Sequence, residues 1–97
     1  MAGPSWTFLT NHARVLLCLA EEPTLRIRDV ADKCGITERG AQRIVTDLEE
    51  SGIVTRSREG RRNHYTINKQ LPMRHAHEAH KTVNDLLALV CTSADGE

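Results

Sequence analysis

Aromatic residues are scarce in this 97-residue sequence, which contains one Trp, one Tyr and one Phe. Long apolar segments are missing as well, since none approaches the roughly 20 residues that a helix needs to cross a bilayer. The hydrophobic fraction of 39% and the charged fraction of 27% are those of an ordinary globular protein. We therefore expect one domain with one modest core, a size at which pairing with a second copy often adds stability.

The cysteines follow no recognisable spacing. Cys18, Cys34 and Cys91 form no CxxC pair, and their odd number argues against a disulfide framework. No charged-then-apolar signal precedes the first predicted helix, so we expect a cytoplasmic protein. Cys18 and Cys34 fall on apolar helix faces, where we expect inert small hydrophobes. Cys91 is expected to be exposed, and an intersubunit bridge through it is an alternative.

Sequence motifs of enzymes are also missing. The chain has no Gly-rich phosphate loop, no HExxH, no nucleophile elbow and no paired carboxylates in an apolar setting. We therefore predict that the protein is not an enzyme and uses no cofactor. The formal net charge is zero, with 13 basic and 13 acidic residues, so any binding to nucleic acid would require local clusters of Lys and Arg.

Residues 1–9 are predicted to form an N-terminal arm that ends in an apolar group. A helix is expected to follow, with Thr10 as its N-cap, apolar residues at the spacing of one helix face from Ala13 to Ala20, and a stop signal at Pro23. After it, Leu25 and Ile27 alternate with two arginines, which predicts a very short strand.

The stretch from Asp29 to Gly52 predicts two helices with almost no linker. The first ends at Cys34, and Gly35 has the character of a C′ residue with a left-handed backbone. Thr37 caps the second, whose sequence GITERGAQRIVTDLEESG has one apolar and one polar face. Gly40 near its start indicates either a close approach to DNA backbone or to the preceding helix, or simple tolerance. This is a helix-turn-helix arrangement, in which the second helix is free to enter a major groove.

A basic hairpin is predicted next. Val54 to Ser57 and Tyr65 to Ile67 have the composition of two strands, joined by a turn at Glu59 to Asn63. Four arginines, opposed only by Glu59, make its tip the most basic part of the chain: Arg56, Arg58, Arg61 and Arg62. We assign residues 10–70 to one domain.

The C-terminal region is predicted to be a long helix over residues 71–93, followed by a disordered tail at 94–97. Pro72 suits the first turn of such a helix. Six residues recur at alternating spacings of three and four, which is typical of a seam between packed helices. These residues are Met73, Ala76, His80, Val83, Leu87 and Val90.

The order of these elements resembles the winged helix-turn-helix regulators of the MarR and ArsR type. The resemblance covers Leu9 to Val90, and its most specific segments are LRIRDVADKCGITERGAQRIVTDLEESGIV and REGRRNHYTI. It implies a mainly α fold with a small β-hairpin and a long C-terminal dimerisation helix. It also implies a homodimer that binds double-stranded DNA sequence-specifically at a palindromic operator, and we expect a repressor. The third helix would enter the major groove, and the wing would lie against the backbone or minor groove.

The predicted DNA contacts follow from residue chemistry as well. Arg39 and Arg43 lie one helical turn apart, and Arg can donate to guanine O6 and N7 as Gln42 can to adenine. Arg56 has the alternative of packing against the third helix. The full predicted set is Thr37, Glu38, Arg39, Gln42, Arg43, Thr46, Arg56, Arg58, Arg61, Arg62 and Asn63.

Other charged residues of this region receive different predictions. Arg26 and Arg28 are weaker candidates for phosphate contacts. The acidic residues late in the third helix, Asp47, Glu49 and Glu50, are expected to face solvent, since DNA would repel them. The predicted dimer interface consists of Trp6 and Phe8 together with the six seam residues of the C-terminal helix.

Alternatives to this interpretation remain open. His75, His77 and His80 suggest a metal site, but the acid and His that the ArsR-type pattern requires upstream are missing, so we predict no metal. His80 is expected to be a half-buried seam residue whose protonation loosens the dimer at low pH. The domain could instead be a winged-helix protein-interaction module or an accessory protein without sequence-specific DNA binding. A small-molecule effector, if one exists, would use the crevice between the long helices and the DNA-binding lobe.

Overall fold

The computed structural model describes residues 3–91, which fold into four α-helices and one antiparallel hairpin. The elements are α1 (Asn11–Glu21), α2 (Ile27–Cys34), α3 (Glu38–Glu50), β1 (Val54–Glu59), β2 (Arg62–Ile67), a 3₁₀ turn (Ala76–Glu78) and α4 (Val83–Val90). This order agrees with the predicted mainly α winged-helix fold. Residues 1–2 of the predicted arm, residues 92–93 of the predicted helix and the tail at 94–97 lie outside the described residues.

α1 begins and ends where the sequence predicts. The Thr10 side chain accepts a hydrogen bond from the Ala13 amide at 3.2 Å, as an N-cap does. The helix ends at Glu21, two residues before Pro23, whose ring cannot continue a helix. Leu19 is fully buried, so α1 passes through the centre of the core.

The turn between α2 and α3 has the predicted chemistry. Gly35 is left-handed, with φ of 70°, and its amide bonds back to carbonyls of α2. The Thr37 side chain accepts from the Gly40 amide at 2.9 Å and so starts α3. A Cβ added at Gly40 would meet only this Thr37 hydroxyl, at 3.2 Å, among the described residues. The close approach of Gly40 to α2 that we considered is therefore not present.

The short strand predicted at residues 25–28 is wrong, because α2 already begins at Ile27. Ile27 packs against the core together with Val30 and Ala31, which is the spacing of a helix face. Alternation over four residues was too short a pattern to distinguish a strand from the first turn of a helix.

One core joins the four α-helices and the hairpin. α1 and α3 contribute most of it, the hairpin adds Val54 and Tyr65, and α4 adds Val83 and Leu87. Every one of these side chains is less than 9% exposed. Of the helices described in residues 3–91, the longest has 13 residues, and none could span a membrane.

The turn of the hairpin is shorter than predicted. β1 and β2 pair in a register that places Arg56 opposite Tyr65 and Glu59 opposite Arg62. Only Gly60 and Arg61 form the turn, because Gly60 takes a φ of 62° and allows a two-residue reversal. Arg62 and Asn63, which we predicted in the turn, belong to β2.

The prediction of one continuous helix over residues 71–93 is wrong for its first half. Pro72 pairs with Thr82 in an isolated antiparallel bridge, and the chain between them forms a loop containing the 3₁₀ turn. α4 has only 8 residues. Its start is fixed by a capping box, in which the Thr82 side chain accepts from the Asp85 amide and the Asp85 carboxylate accepts from the Thr82 amide. This second hydrogen bond lowers the pKa of Asp85.

Candidate nucleic-acid interface

The two faces of α3 meet different environments. Ala41, Ile44, Val45 and Leu48 are buried, and this face fixes the helix on the core. The opposite face carries the predicted base-reading residues, of which Arg39, Gln42 and Arg43 are exposed and Thr46 is half-buried. The helix therefore presents a row of hydrogen-bonding side chains to solvent.

Arg39 and Arg43 are free to bind a ligand. Within residues 3–91, neither guanidinium takes part in a hydrogen bond or an ion pair. Gln42 donates to the Thr46 hydroxyl at 3.4 Å, a long bond that a base edge could replace. The polar face is thus not occupied by contacts within the domain.

The beginning of α3 is partly used for its own stability. The Thr37 side-chain oxygen accepts from the Gly40 amide, so this amide is already satisfied. The Thr37 hydroxyl hydrogen stays available as a donor. Glu38 is exposed in the first turn, where its negative charge interacts favourably with the helix dipole.

Arg56 connects the wing to α3. Its Nε lies 3.1 Å from Glu49 Oε2, and its position opposite the buried Tyr65 places it on the inner face of the hairpin. The structure therefore agrees with the alternative we gave for Arg56, packing against the third helix. Glu49, predicted to face solvent, has a side chain only 23% exposed because it receives this arginine.

Arg62 connects the wing to the turn between α1 and α2. Its Nε and Nη2 both donate to the Thr24 carbonyl oxygen, at 3.2 and 2.8 Å. Nearby, the Tyr65 amide donates to the Pro23 carbonyl at 2.9 Å. The guanidinium of Arg62 therefore holds β2 in place.

The other two wing arginines are differently placed. Arg58 forms one long hydrogen bond, in which its Nε donates to the Gly60 carbonyl of the same hairpin at 3.4 Å. For Arg61, the part of the chain that the structure describes offers no hydrogen-bond or ion-pair partner. These two residues form the free basic tip of the wing.

Several predicted phosphate contacts meet at one hollow beside the tip. This hollow, of about 320 Å³, lies at the start of α2, and Arg26 lines it together with Arg61, Arg62 and Asn63. Arg28, two residues further on, is exposed. The fold thus gathers basic side chains from the start of α2 and from the wing, which are more than 30 residues apart in sequence.

A link between α1 and α3 was missed by the sequence analysis. His12 Nε2 lies 2.8 Å from Asp47 Oδ2, and both side chains are about half exposed. Asp47 was predicted to face solvent alone. Beside this pair, α1, the end of α3 and the loop around Pro72 enclose a hollow of about 320 Å³. Val83 and Leu86 of the short α4 also line it.

The histidines of the C-terminal loop are exposed: His75, His77 and His80. His80 is therefore not a half-buried seam residue. Its loop is held by local bonds, such as that from the His77 amide to His75 Nδ1 at 3.0 Å. Within residues 3–91, no three His, Cys, Asp or Glu side chains come together in a way that could hold a metal ion.

The residues predicted for a dimer interface fall into three groups by exposure. Val83 and Leu87 are 3% and 5% exposed in the core of their own chain, so they offer almost no surface to a partner. Met73 is half-buried. The remaining residues of the prediction are exposed: Trp6, Phe8, Ala76, His80 and Val90.

A comparison with protein-family models decides the family. The model described as the MarR family matches residues 7–63, more than half of the chain. The chain belongs to the MarR family. The MarR match covers α1, α2, α3, β1 and the first two residues of β2, so it contains the helix-turn-helix and the basic wing tip. A comparison with curated proteins found no match.

Membership of the MarR family indicates the general function of this surface. Proteins of this family are DNA-binding transcriptional regulators built on a winged helix. In such proteins the second helix of the helix-turn-helix reads the major groove. In this MarR-family chain that helix is α3, whose free arginines lie on its exposed face.

The two neighbouring arginines of the wing should respond differently to substitution. Arg61→Ala should weaken binding to every duplex a few-fold and lower the salt slope by about one, with an unchanged melting temperature. Arg62→Ala should also destabilise the fold, by roughly 0.5 to 1.5 kcal/mol, because the Thr24 carbonyl loses both donors. Fluorescence anisotropy in a salt series and thermal unfolding measure the two effects. Equal melting temperatures for the two variants would show that Arg62 does not hold the wing.

Proposed function

We propose that the protein is a cytoplasmic transcriptional repressor that binds a palindromic operator as a homodimer. In this proposal α3 lies in the major groove and the tip of the wing lies against the phosphate backbone. The observation that carries it is the pair Arg39 and Arg43, exposed on the outer face of α3 and without partners within residues 3–91.

The chemistry of α3 suits base reading. Arg39 and Arg43 can each donate two hydrogen bonds to guanine, and Gln42 can bond adenine through its amide. Each such pair provides roughly 1 to 3 kcal/mol of discrimination against a wrong base. Thr37, Glu38 and Thr46 extend the same surface towards both ends of the helix and complete the proposed reading face.

The wing suits backbone binding. Arg58 and Arg61 are exposed at a hairpin tip, where an arginine has no packing role but can neutralise a phosphate. Arg26 and Asn63 beside them extend the surface, while Arg56 and Arg62 hold the hairpin in position. Some arginines thus hold the wing rigid while others project from its tip. The positive charge is concentrated at this tip, although the net charge of the protein is zero.

Exposed apolar side chains support the proposal of a dimer. Leu89 and Val90 on the outer face of α4 are 80% and 39% exposed, and Trp6 and Phe8 in the arm are 67% and 91% exposed. The two aromatic rings contact each other edge to face, with centroids 5.1 Å apart. Such groups are unfavourable in water unless a partner covers them. We propose that a second copy does so, through α4 and the arm.

The dimer proposal makes a prediction about Leu89. Leu89→Asp places a charge on the outer face of α4 and should convert a dimer into a monomer of 10.9 kDa at micromolar concentration. Sedimentation velocity measures this change. Gln70→Ala, on an exposed loop residue, is the control and should stay dimeric. A wild-type protein that sediments as a monomer at every concentration would contradict the proposal.

The function as a whole is tested by selecting duplexes from a random library with the purified chain. A palindromic consensus is expected, because a twofold dimer presents the same helix to two half-sites about one helical turn apart. Transcription in vitro from a promoter that carries the consensus should fall when the protein is added. Recovery of no consensus, with weak binding to all duplexes, would favour the protein-interaction module. An increase in transcription would exclude the repressor.

A further inference from the structure

Two of the three cysteines touch each other. Cys18 in α1 and Cys34, the last residue of α2, have their sulfur atoms 3.7 Å apart. Both residues are half-buried, so the pair is not sealed inside the core. Cys91 is half-buried as well, which differs from the exposed position that we predicted for it. The expectation that Cys18 and Cys34 act as separate inert hydrophobes does not account for this contact.

We propose that Cys18 and Cys34 are a modification site at which a small disulfide, such as oxidised glutathione, forms an intramolecular bond between α1 and α2. A disulfide bond is about 2.05 Å long, so the two sulfur atoms must approach further by side-chain rotation and a small movement of α2. The ends of α1 and α2 are already held side by side, since Lys33 Nζ lies 3.2 Å from Glu22 Oε1.

The order of attack follows from the surroundings of the two thiols. Burial, aided by the neighbouring Cys34, raises the pKa of Cys18 to about 12, so this thiol is protonated at neutral pH. Cys34 therefore attacks first: its sulfur gives up its proton and forms a mixed disulfide while one glutathione thiolate leaves. Cys18 loses its proton and then attacks Cys34 Sγ, which releases the second glutathione. The two protein thiols lose two electrons, and the oxidant is reduced to two thiols that carry the two protons.

The bond would join the centre of the core to the first helix of the helix-turn-helix. Only the turn from Gly35 to Thr37 separates Cys34 from α3, so the bond would also restrain the start of α3. It closes a loop between residues 16 apart in sequence, which restricts the unfolded chain. We expect the melting temperature to rise by about 10 °C on oxidation and to fall back when dithiothreitol is added.

The test incubates the full chain with oxidised glutathione, blocks free thiols with iodoacetamide and digests with trypsin without reduction. Each cysteine lies in a different peptide, so the bond appears as residues 15–26 linked to residues 34–39. Cys91→Ser should form the same linked pair and show the same thermal shift. Cys34→Ser and Cys18→Ser should show neither, and having both variants guards against one of them failing to fold.

Three results would overturn the proposal: a bridge that includes Cys91, a bond between two chains, or a mixed disulfide on Cys34 that persists without the second step. Neither readout involves DNA. A failure of the proposed DNA binding would therefore leave this site intact, and a failure of this site would leave the DNA-binding proposal intact.

Discussion

Replacing Arg39 and Arg43 together with alanine is expected to lower the affinity for a selected operator by about 30-fold or more, since each arginine contributes roughly 1 to 3 kcal/mol of base discrimination. Affinity for a random duplex should fall only a few-fold, because the backbone contacts of the wing remain. Anisotropy titrations with both duplexes at one salt concentration give the ratio of the two affinities. The physical reason is that neither guanidinium group forms a hydrogen bond or an ion pair within residues 3–91, so both can bond to bases.

Arg74→Ala is the matched control for this experiment. Arg74 is an exposed arginine in the C-terminal loop, so its loss removes one positive charge, half the change of the double variant, at a place outside the proposed interface. It should leave the ratio of the two affinities unchanged. If the double variant loses affinity equally on the operator and on the random duplex, α3 does not read bases.

The second large effect concerns the core. Leu19→Ala should lower the free energy of unfolding by roughly 2 to 5 kcal/mol, because Leu19 is fully buried and its truncation leaves a cavity. The whole free energy of unfolding of a typical domain is about 5 to 15 kcal/mol. The melting temperature should therefore fall by more than about 10 °C. Urea and thermal unfolding at fixed protein concentration measure both quantities.

Leu25→Ala provides the control with the same chemical change. Leu25 is only half-buried, in the connection between α1 and α2, so the same truncation should cost less than half as much. Similar losses at Leu19 and Leu25 would contradict the position of α1 at the centre of the core.

The start of α1 and the turn between α2 and α3 could be predicted in detail because their signals are local. Thr10 and Thr37 act as caps through bonds to amides three residues away, and Gly35 adopts the left-handed backbone that its lack of a side chain allows. The buried face of α3 follows from the helical spacing of its apolar residues. Each of these features depends on residues within one or two helical turns, which a sequence displays directly.

The C-terminal region could not be predicted in this way. The seam pattern counted Ala76 and His80 as packing positions, but both are exposed. Besides its local capping box, the start of α4 is held by bonds from the Val83 amide to the Leu71 carbonyl and from the Asn84 amide to the Lys69 carbonyl. These bonds join segments separated by a loop, and their register cannot be read from residue spacing.

The roles of the wing arginines were hidden for a similar reason. Sequence composition makes Arg58, Arg61 and Arg62 equivalent, whereas the fold gives Arg62 a carbonyl acceptor 38 residues away. Arg56 finds its partner at the end of α3, a contact that we gave only as an alternative. A cluster of like charges predicts a basic surface, and only tertiary structure distinguishes the residues that hold it from those that project from it.

The central claim is that α3 and the tip of the wing form the DNA-binding surface. Its most direct test is an NMR titration of the isotope-labelled chain with duplex DNA, following the backbone amides. The largest shifts are expected for residues 37–46 and 58–63, with small shifts in α4. Shifts concentrated in α4 or in the arm at residues 6–8, with residues 37–46 unchanged, would contradict this account.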